Sequence, residues 1–126
     1  MAKANMARIE ETARLALAFA EAFNAHDVAA MTAIMRDDCH FESSEPAPDD
    51  AFYAGKKAIA QYWHRYFQTH PQAQLEAEEL FGLGLRSVMR WRCEWGSAAE
   101  RREVRGVFIF RVNQGAISEL YGYVKR

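Results

Sequence analysis

Residues 105–126, RGVFIFRVNQGAISELYGYVKR, decide the fold. Residues 107–110 are all β-branched or aromatic, which is the composition of a strand covered on both faces. The residues Asn-Gln-Gly at 113–115 follow, and asparagine and glycine tolerate the positive φ of a tight turn. Residues 117–124 then return as a second strand. The stretch is therefore predicted to be a β-hairpin that packs on the rest of the chain.

The composition is that of one globular domain covering residues 1–126. Half of the residues are hydrophobic, 26% are charged, and the formal net charge is −1. Because this balance gives no basic surface, we expect no nucleic-acid partner. No apolar run approaches the roughly 20 residues of a membrane-spanning helix, so we expect no membrane partner either.

The cysteines and the N-terminus favour a cytoplasmic protein. The first residues, MAKANMARIEE, lack the apolar core of a secretory signal. Cys39 and Cys93 are far apart and do not follow a metal-binding spacing. We therefore expect two reduced thiols, no metal site and no cofactor.

Three helices are predicted in the first 70 residues. Residues 8–25 carry apolar side chains at helical spacing. Asp27 is a natural N-cap for a second, shorter helix that continues through Met35. Gly55 opens a third helix, and Pro71 stops it.

The other segments are predicted to be strands and loops. Residues 39–43 alternate as a short strand, and residues 44–54, with two prolines and three acids, are predicted to be a loop. Four antiparallel strands follow, at residues 72–81, 85–95, 101–112 and 117–124. Gly82 and Gly84 suggest a bend or bulge. The prediction is an α+β fold with three N-terminal helices packed on a curved, mostly antiparallel sheet.

The order and spacing of four segments resemble the SnoaL-like and ketosteroid isomerase-like proteins of the nuclear transport factor two-like superfamily. The segments are NAHD, DDCHFES, GKKAIAQYW and FIFRVNQGAISELYGYV, and the resemblance covers about residues 9–124. It implies a cone-shaped α+β barrel around an apolar pocket, usually dimeric through the outer sheet face. The superfamily includes isomerases, cyclases, hydrolases and non-catalytic binders, so the fold alone does not give the function.

The resemblance also locates the positions that carry steroid isomerase chemistry. The carboxylate base at the end of the first strand falls on Ser43. The acid in the terminal hairpin, which SnoaL-type cyclases also keep, falls on Phe108. The tyrosine of the first helix falls on Phe19. Because proton abstraction next to a carbonyl needs a base and an oxyanion donor, we do not expect a steroid isomerase.

The strand and helix periodicities direct a mostly apolar set of side chains into the cone. The predicted ligand-binding residues are Phe19, Phe41, Ser43, Trp63, Met89, Trp91, Cys93, Phe108, Phe110 and Leu120. Such a set fits either a pocket for a small hydrophobic or aromatic molecule or a cone filled by its own side chains. The acidic loop with Glu45, Asp49 and Asp50 either borders the pocket mouth or is a solvated connection.

Few polar residues are candidates for catalysis. His40 and Glu42 share a strand face and form a possible acid–base pair, although the alternation that places Ser43 inside places this pair outside. A register error of one residue would reverse that assignment. The weak catalytic candidates are His40, Ser43 and Tyr62. A non-catalytic binding module and a cofactor-independent isomerase, cyclase or hydrolase both stay open.

The outward side chains of the last strands indicate a partner sheet. Tyr121 and Tyr123 would meet arginines of the neighbouring strands on the outer face. Val107 and Ile109 also point outward, where a solvated face would not favour them. We therefore expect a homodimer through the outer sheet face, with the two tyrosines as interface anchors.

Overall fold

The computed structural model describes residues 2–45 and 51–125, with side chains from residue 10 onward. The described residues form three helices and one six-stranded sheet, which confirms the predicted α+β fold. The helices are α1 (Ala2–Asn24), α2 (Val28–Ala33) and α3 (Lys56–Thr69). The strands are β1 (Met35–Ser43), β2 (Ala51–Ala54), β3 (Gln74–Leu83), β4 (Arg86–Trp95), β5 (Arg102–Asn113) and β6 (Ala116–Lys125).

The predicted terminal hairpin, β5–β6, occupies the middle of the sheet. The strand order is β2-β1-β6-β5-β4-β3, with every pair antiparallel except β1 and β6, which run parallel. The hairpin turn uses Gln114 at φ 53° and Gly115 at φ 79°, the left-handed conformation that the sequence predicted for this segment. In this order β6 pairs with β1 and β5 pairs with β4. The hairpin therefore joins the β1–β2 part of the sheet to the β3–β4 part.

Two boundaries around β1 differ from the prediction. Asp27 caps α2 as expected, with its Oδ1 accepting from the backbone N–H of Ala30 at 3.0 Å. The helix nevertheless ends at Ala33, and Met35 already belongs to β1. The reason is pairing with β6, since the backbone N–H of Ile117 donates to the carbonyl of Ile34 at 2.9 Å. A long-range strand contact therefore outweighs the local helical pattern.

The predicted loop at residues 44–54 contains a strand. β2 pairs antiparallel with β1, and Phe41 lies opposite Tyr53. Residues 46–50 of this segment lie outside the described part of the chain. The bulge expected near Gly82 or Gly84 is also elsewhere: the register shifts between Ala77 and Glu79, while Gly84 has φ 61° between β3 and β4.

The core lies between the helices and the inner face of the sheet. α1 packs across β3, β4 and β5, and α3 packs on β1 and β2. Phe19 on α1 meets Trp63, Phe108 and Phe110 edge-to-face at ring-centroid distances of 5.4–5.8 Å. Burial of one such side chain contributes roughly 1.5–3 kcal/mol. Among the described residues, no helix combines the length and apolarity needed to cross a membrane.

Candidate functional site

A cavity of about 690 Å³ lies between α3 and the inner face of the sheet. This volume is within the range of small-molecule sites in proteins. Its wall is dominated by aromatic side chains from four strands, β1, β2, β4 and β5, and from both long helices with the C-cap of α3. They are Phe23, Phe41, Tyr53, Tyr62, Trp63, Tyr66, His70, Trp91, Trp95 and Phe108.

Six of the ten predicted ligand-binding residues line this cavity: Phe41, Ser43, Trp63, Trp91, Cys93 and Phe108. The other four, Phe19, Met89, Phe110 and Leu120, are fully buried and do not line it. All ten face inward as predicted. Alternation identifies the face of a strand but not the depth of a residue along the cone. The cone is therefore filled at one end and open at the other.

Several lining residues were missed by the sequence analysis. Tyr66 lies one turn after Tyr62 on α3, and His70 is the C-cap residue one turn further on, so extending the helical spacing would have found both. Tyr66 and His70 stack with their ring centroids 3.9 Å apart. Tyr53 lies on the unpredicted strand β2, and no local pattern marked it.

Ser43 and Tyr62, two of the weak catalytic candidates, both line the cavity wall. Ser43 is only 4% exposed, and its Oγ accepts a hydrogen bond from the backbone N–H of Glu45 at 3.1 Å. Burial raises the pKa of the Tyr62 phenol, and a hydrogen bond with Ser43 partly opposes that rise. Tyr62 therefore stays a neutral phenol that can donate a hydrogen bond.

Gly122 of β6 has no side chain and therefore leaves space in this part of the cavity wall. It pairs with Ser43 across the parallel β1–β6 ladder. A Cβ at this position would stand 3.2 Å from Phe108 Cε1 and 3.3 Å from Phe41 Cε1. A side chain here would thus press on both rings and enter the cavity.

A second polar pair in the wall is Tyr66 and Cys93, whose Oη and Sγ atoms are 3.8 Å apart. Burial raises the pKa of the Tyr66 phenol, and the neighbouring Cys93 raises it further. Burial also raises the pKa of the Cys93 thiol. Both groups are protonated near neutral pH, so neither acts as a base or as a thiolate nucleophile there.

The charged residues of the cavity lie at its more exposed end. Arg65 is exposed and Glu45 is half-buried, whereas Phe41 and Cys93 are buried. Glu45 thus borders the cavity, as one interpretation of the acidic loop predicted, and Asp49 and Asp50 lie outside the described residues. Within the described part of the chain, no three His, Cys, Asp or Glu side chains are placed to hold a metal ion.

His40 lies on the outer face of the sheet, away from the cavity. Its Nε2 is 3.6 Å from Glu119 Oε1 and 3.4 Å from the Tyr121 hydroxyl. The parallel register places His40 opposite Glu119, so the described ion-pair partner is Glu119 and not the predicted Glu42. Glu119 is also bound by Arg111 at 3.2 Å. His40 therefore has no access to a molecule held in the cavity.

The rest of the outer face is a ladder of ion pairs with apolar residues between them. Arg90 contacts Glu79 at 3.3 Å, and Arg105 contacts Glu103 at 3.5 Å. Val107 is half-buried on the same face. The outward orientation predicted for Val107 and for the arginines of β4 and β5 is confirmed.

Comparison with known proteins gives the family. The sequence profile of the SnoaL-like domain matches residues 16–120. An NTF2-like protein of unknown function from Mesorhizobium loti is 39% identical, with 94% of each chain covered and a TM-score of 0.78. No curated protein matches the chain.

More distant solved structures share the fold. A proposed polyketide cyclase from Xanthomonas campestris pv. campestris has a TM-score of 0.79 at 20% identity, covering 94% of this chain and 93% of its own. An LEH-like epoxide hydrolase from M. tuberculosis has a TM-score of 0.75 at 18% identity, covering 93% and 84%. Because the SnoaL-like profile spans most of the sequence and the M. loti protein is similar over nearly all of it, this chain belongs to the SnoaL-like family of the NTF2-like superfamily.

Proposed function

We propose that this protein binds a small hydrophobic or aromatic molecule in the cavity between α3 and the sheet. The observation that carries the proposal is the wall itself, which encloses about 690 Å³ and is mostly aromatic. Apolar surface removed from water supplies most of the free energy of binding at such a site. The charged side chains stand only at its exposed end.

The replaced catalytic positions favour binding over the known chemistries of this fold. Phe108 is 5% exposed and contacts Trp91 and Phe19 at ring-centroid distances of 5.3 and 5.4 Å. An apolar ring therefore occupies the position where the resemblance implies an acid. With Ser43 at the position of the base, the buried residues that line the described part of the wall include no aspartate or glutamate.

The second candidate function is catalysis without a cofactor, as an isomerase, cyclase or hydrolase. The observation that favours it is the pair of Ser43 and Tyr62, two neutral hydrogen-bonding groups in contact with the cavity. The solved neighbours include a proposed cyclase and an epoxide hydrolase, but at 20% and 18% identity they support the fold alone. A reaction would have to use these hydroxyl groups in place of the missing acids.

The test is direct binding. Native mass spectrometry of protein purified without denaturation should show a small apolar adduct, and equilibrium dialysis should show binding of 2-ethylnaphthalene. Val124 lines the cavity and its neighbour Tyr123 faces outward, so Val124→Trp should abolish binding and the control Tyr123→Trp should not. Absence of both the adduct and the binding would contradict the proposal.

We also propose that two copies of the chain associate through the outer sheet face. Phe81, Val88, Ile109 and Tyr121 stand in register across four strands, which makes an apolar row. Phe81 is 55% exposed and Tyr123, in the next row, is 43% exposed. The two flanking rows also hold charged side chains, Arg90 and Glu79 in one and Arg86, Arg111 and Glu119 in the other, which can pair with a symmetry-related copy.

Tyr123→Arg should shift the dimer towards monomer in analytical ultracentrifugation at micromolar concentration, because it inserts a charge next to the apolar row. Gln68→Arg, on an exposed position of α3, adds the same charge elsewhere and should leave the association unchanged. A monomeric wild-type protein, or a Tyr123→Arg variant that dimerises as the wild type does, would contradict this interface.

The cytoplasmic location stays a proposal. Cys39 and Cys93 are both free and buried, as expected in a reducing compartment. Fractionation of the producing cell, with detection of the protein in the cytoplasmic fraction, tests it.

A further inference from the structure

The imidazole of His70 lines the cavity and is held in place by its neighbours. His70 is the C-cap residue of α3, and its ring stacks on Tyr66 with the planes 8° apart and the centroids 3.9 Å apart. Trp95 contacts the same ring at a centroid distance of 4.9 Å. The backbone is held as well, because the His70 carbonyl accepts a hydrogen bond from the N–H of Ala73 at 3.2 Å. These contacts restrict the orientations that the imidazole can adopt.

The contacts of Nδ1 indicate which nitrogen of the His70 ring carries the hydrogen. Nδ1 lies 2.9 Å from the backbone carbonyl oxygen of Tyr66, and a carbonyl oxygen can only accept. Without a hydrogen on Nδ1, two lone pairs would face each other at this distance. Nδ1 also lies 2.9 Å from Thr69 Oγ1, whose own hydroxyl can donate to the carbonyl of Arg65 at 3.2 Å. In the uncharged imidazole the hydrogen is therefore assigned to Nδ1.

The other ring nitrogen of His70, Nε2, then carries a lone pair. Within the described part of the chain Nε2 forms no hydrogen bond, and it is not a buried atom. Its ring is oriented by packing and by the bond at Nδ1, so little conformational freedom is lost when a donor binds to it. An acceptor of this kind suits a ligand that brings its own N–H or O–H group into the aromatic cavity.

We propose that His70 Nε2 is a ligand-binding atom of the cavity, and that the ligand is an aromatic or apolar molecule carrying an uncharged donor such as a phenol hydroxyl. The aromatic wall would bind the body of this molecule, and the imidazole would accept the hydrogen bond from its hydroxyl. Thr69 is a positioning residue, because it contacts the ring only at Nδ1. This inference rests on the proposed binding function and adds the polar group that the ligand must carry.

Two probes of the same shape test the proposal by equilibrium dialysis. 2-Naphthol carries a hydroxyl group where 2-methylnaphthalene carries a methyl group. His70→Phe keeps a ring beside Tyr66 and removes both nitrogens. It should lower the ratio of the association constants, naphthol over hydrocarbon, by about 3- to 10-fold, the range expected for one neutral hydrogen bond.

Two control variants show whether the change in the ratio belongs to His70. His64→Phe makes the same substitution at an exposed position of α3 and should leave the ratio unchanged. Glu45→Leu removes a carboxylate acceptor from the lining of the same cavity and should also leave it unchanged.

His70→Asn and His70→Gln separate ligand binding from the contact with the helix end. The asparagine amide can replace Nδ1 but does not reach the position of Nε2, whereas the glutamine amide reaches it. The ratio should therefore be low in His70→Asn and at least partly restored in His70→Gln. A purely structural role would change the binding of both probes alike and leave the ratio unchanged. These variants also keep the proposal testable if His70→Phe fails to fold.

Nitrogen NMR of protein labelled with ¹⁵N-histidine observes the two ring atoms directly. The uncharged ring of His70, identified by the signals that His70→Phe removes, should show a protonated Nδ1 and an unprotonated Nε2. The Nε2 resonance should move upfield when 2-naphthol binds, and clearly less when 2-methylnaphthalene binds.

The outcomes separate this inference from the function beneath it. If both probes bind to the wild type and neither His70→Phe nor His70→Asn lowers the ratio, the role of His70 is wrong and the binding function stands. A hydrogen on Nε2 of the uncharged ring, or a ratio that falls only in Glu45→Leu, also overturns the role of His70. If neither probe binds to the wild type, the binding function fails and this inference fails with it.

Discussion

The inner and outer faces of the sheet are built from the same strands but have opposite chemistry. On β4, Met89 and Trp91 point inward and are buried, while Arg90 and Arg92 alternate with them on the outer face. Inside, aromatic rings contact one another around a cavity. Outside, arginines and glutamates pair across strands. The period of two residues along a strand is sufficient to separate these environments.

The two faces also perturb ionisation for different reasons. Burial raises the pKa of the Tyr62 and Tyr66 phenols on the inner side. On the outer face, a hydrogen bond to Glu119 raises the pKa of Tyr121 to about 12, and the same bond lowers that of Glu119. The inner face thus keeps its groups neutral, whereas the outer face stabilises charge by pairing. A binding site for an apolar molecule is expected on the first face and a polar or subunit contact on the second.

The largest expected loss of stability comes from placing a charge on the apolar inner face. Phe108→Asp should lower the free energy of unfolding by roughly 3–5 kcal/mol, because it removes a buried ring and leaves an unpaired carboxylate. Val107→Asp, one residue away on the half-buried outer face, should cost less than half as much. Urea unfolding at neutral pH measures both. Equal losses would mean that the faces do not differ as described.

The next test compares two glycines of the inner face that differ in how closely their neighbours pack. A Cβ on Gly106 would lie 2.2 Å from the backbone oxygen of Tyr123 and 2.5 Å from Trp91 Cζ2, so the backbone itself would have to move. Gly106→Ala should cost about 3 kcal/mol by urea unfolding. Gly122→Ala meets only ring edges beside the cavity and should cost clearly less. The reverse order would contradict the assigned packing.

Alkaline pH should lower the free energy of unfolding through the buried thiol of Cys39. Burial raises the pKa of Cys39 from its ordinary 9.0 to about 12. A raised pKa stabilises the folded state fully below the ordinary value, and this stabilisation is lost as pH rises towards 12. Between pH 8 and pH 11 the wild type should lose roughly 2 kcal/mol more than Cys39→Ala. Urea unfolding in reductant measures the difference, and equal losses would show that this thiol does not titrate as proposed.

The smallest effect belongs to the outer ion pairs. Glu119→Gln removes the pairing with Arg111 and the charged acceptor for Tyr121, and it should cost less than about 1 kcal/mol at pH 7. Because the pKa of Glu119 is lowered in the fold, this contribution is present above the ordinary carboxyl pKa and is lost as pH falls through the lowered value. The difference in the free energy of unfolding between the wild type and Glu119→Gln, measured by urea unfolding, should therefore become smaller in acid. A gap that widens below pH 5 would contradict the assignment.

Local pattern was sufficient where a structure depends on neighbours in sequence. The hairpin turn at Gly115, the N-cap at Asp27 and the inward alternation of Met89, Trp91 and Cys93 were all predicted and are all present. The conformational preferences of single residues and the spacing of apolar side chains act over a few residues. Both can therefore be identified directly in the sequence.

Strand pairing between segments distant in sequence could not be predicted from local patterns. No local signal showed that β1 would lie parallel to β6, which ends α2 early, gives His40 the partner Glu119 and places Ser43 beside Gly122. The strand β2 and the bulge between Ala77 and Glu79 also went unpredicted, since both depend on the partner strand.

The sequence by itself determined the α+β fold, the family and the face on which most side chains lie, because these depend on period, turn chemistry and segment order. The tertiary structure decided the depth of each inward residue: Phe19 and Phe110 fill one end of the cone, while Trp91 and Tyr62 line a cavity at the other. Depth depends on how α3 is spaced from the sheet and on where Gly122 leaves room. Both follow from packing between segments distant in sequence, which no period along the chain encodes.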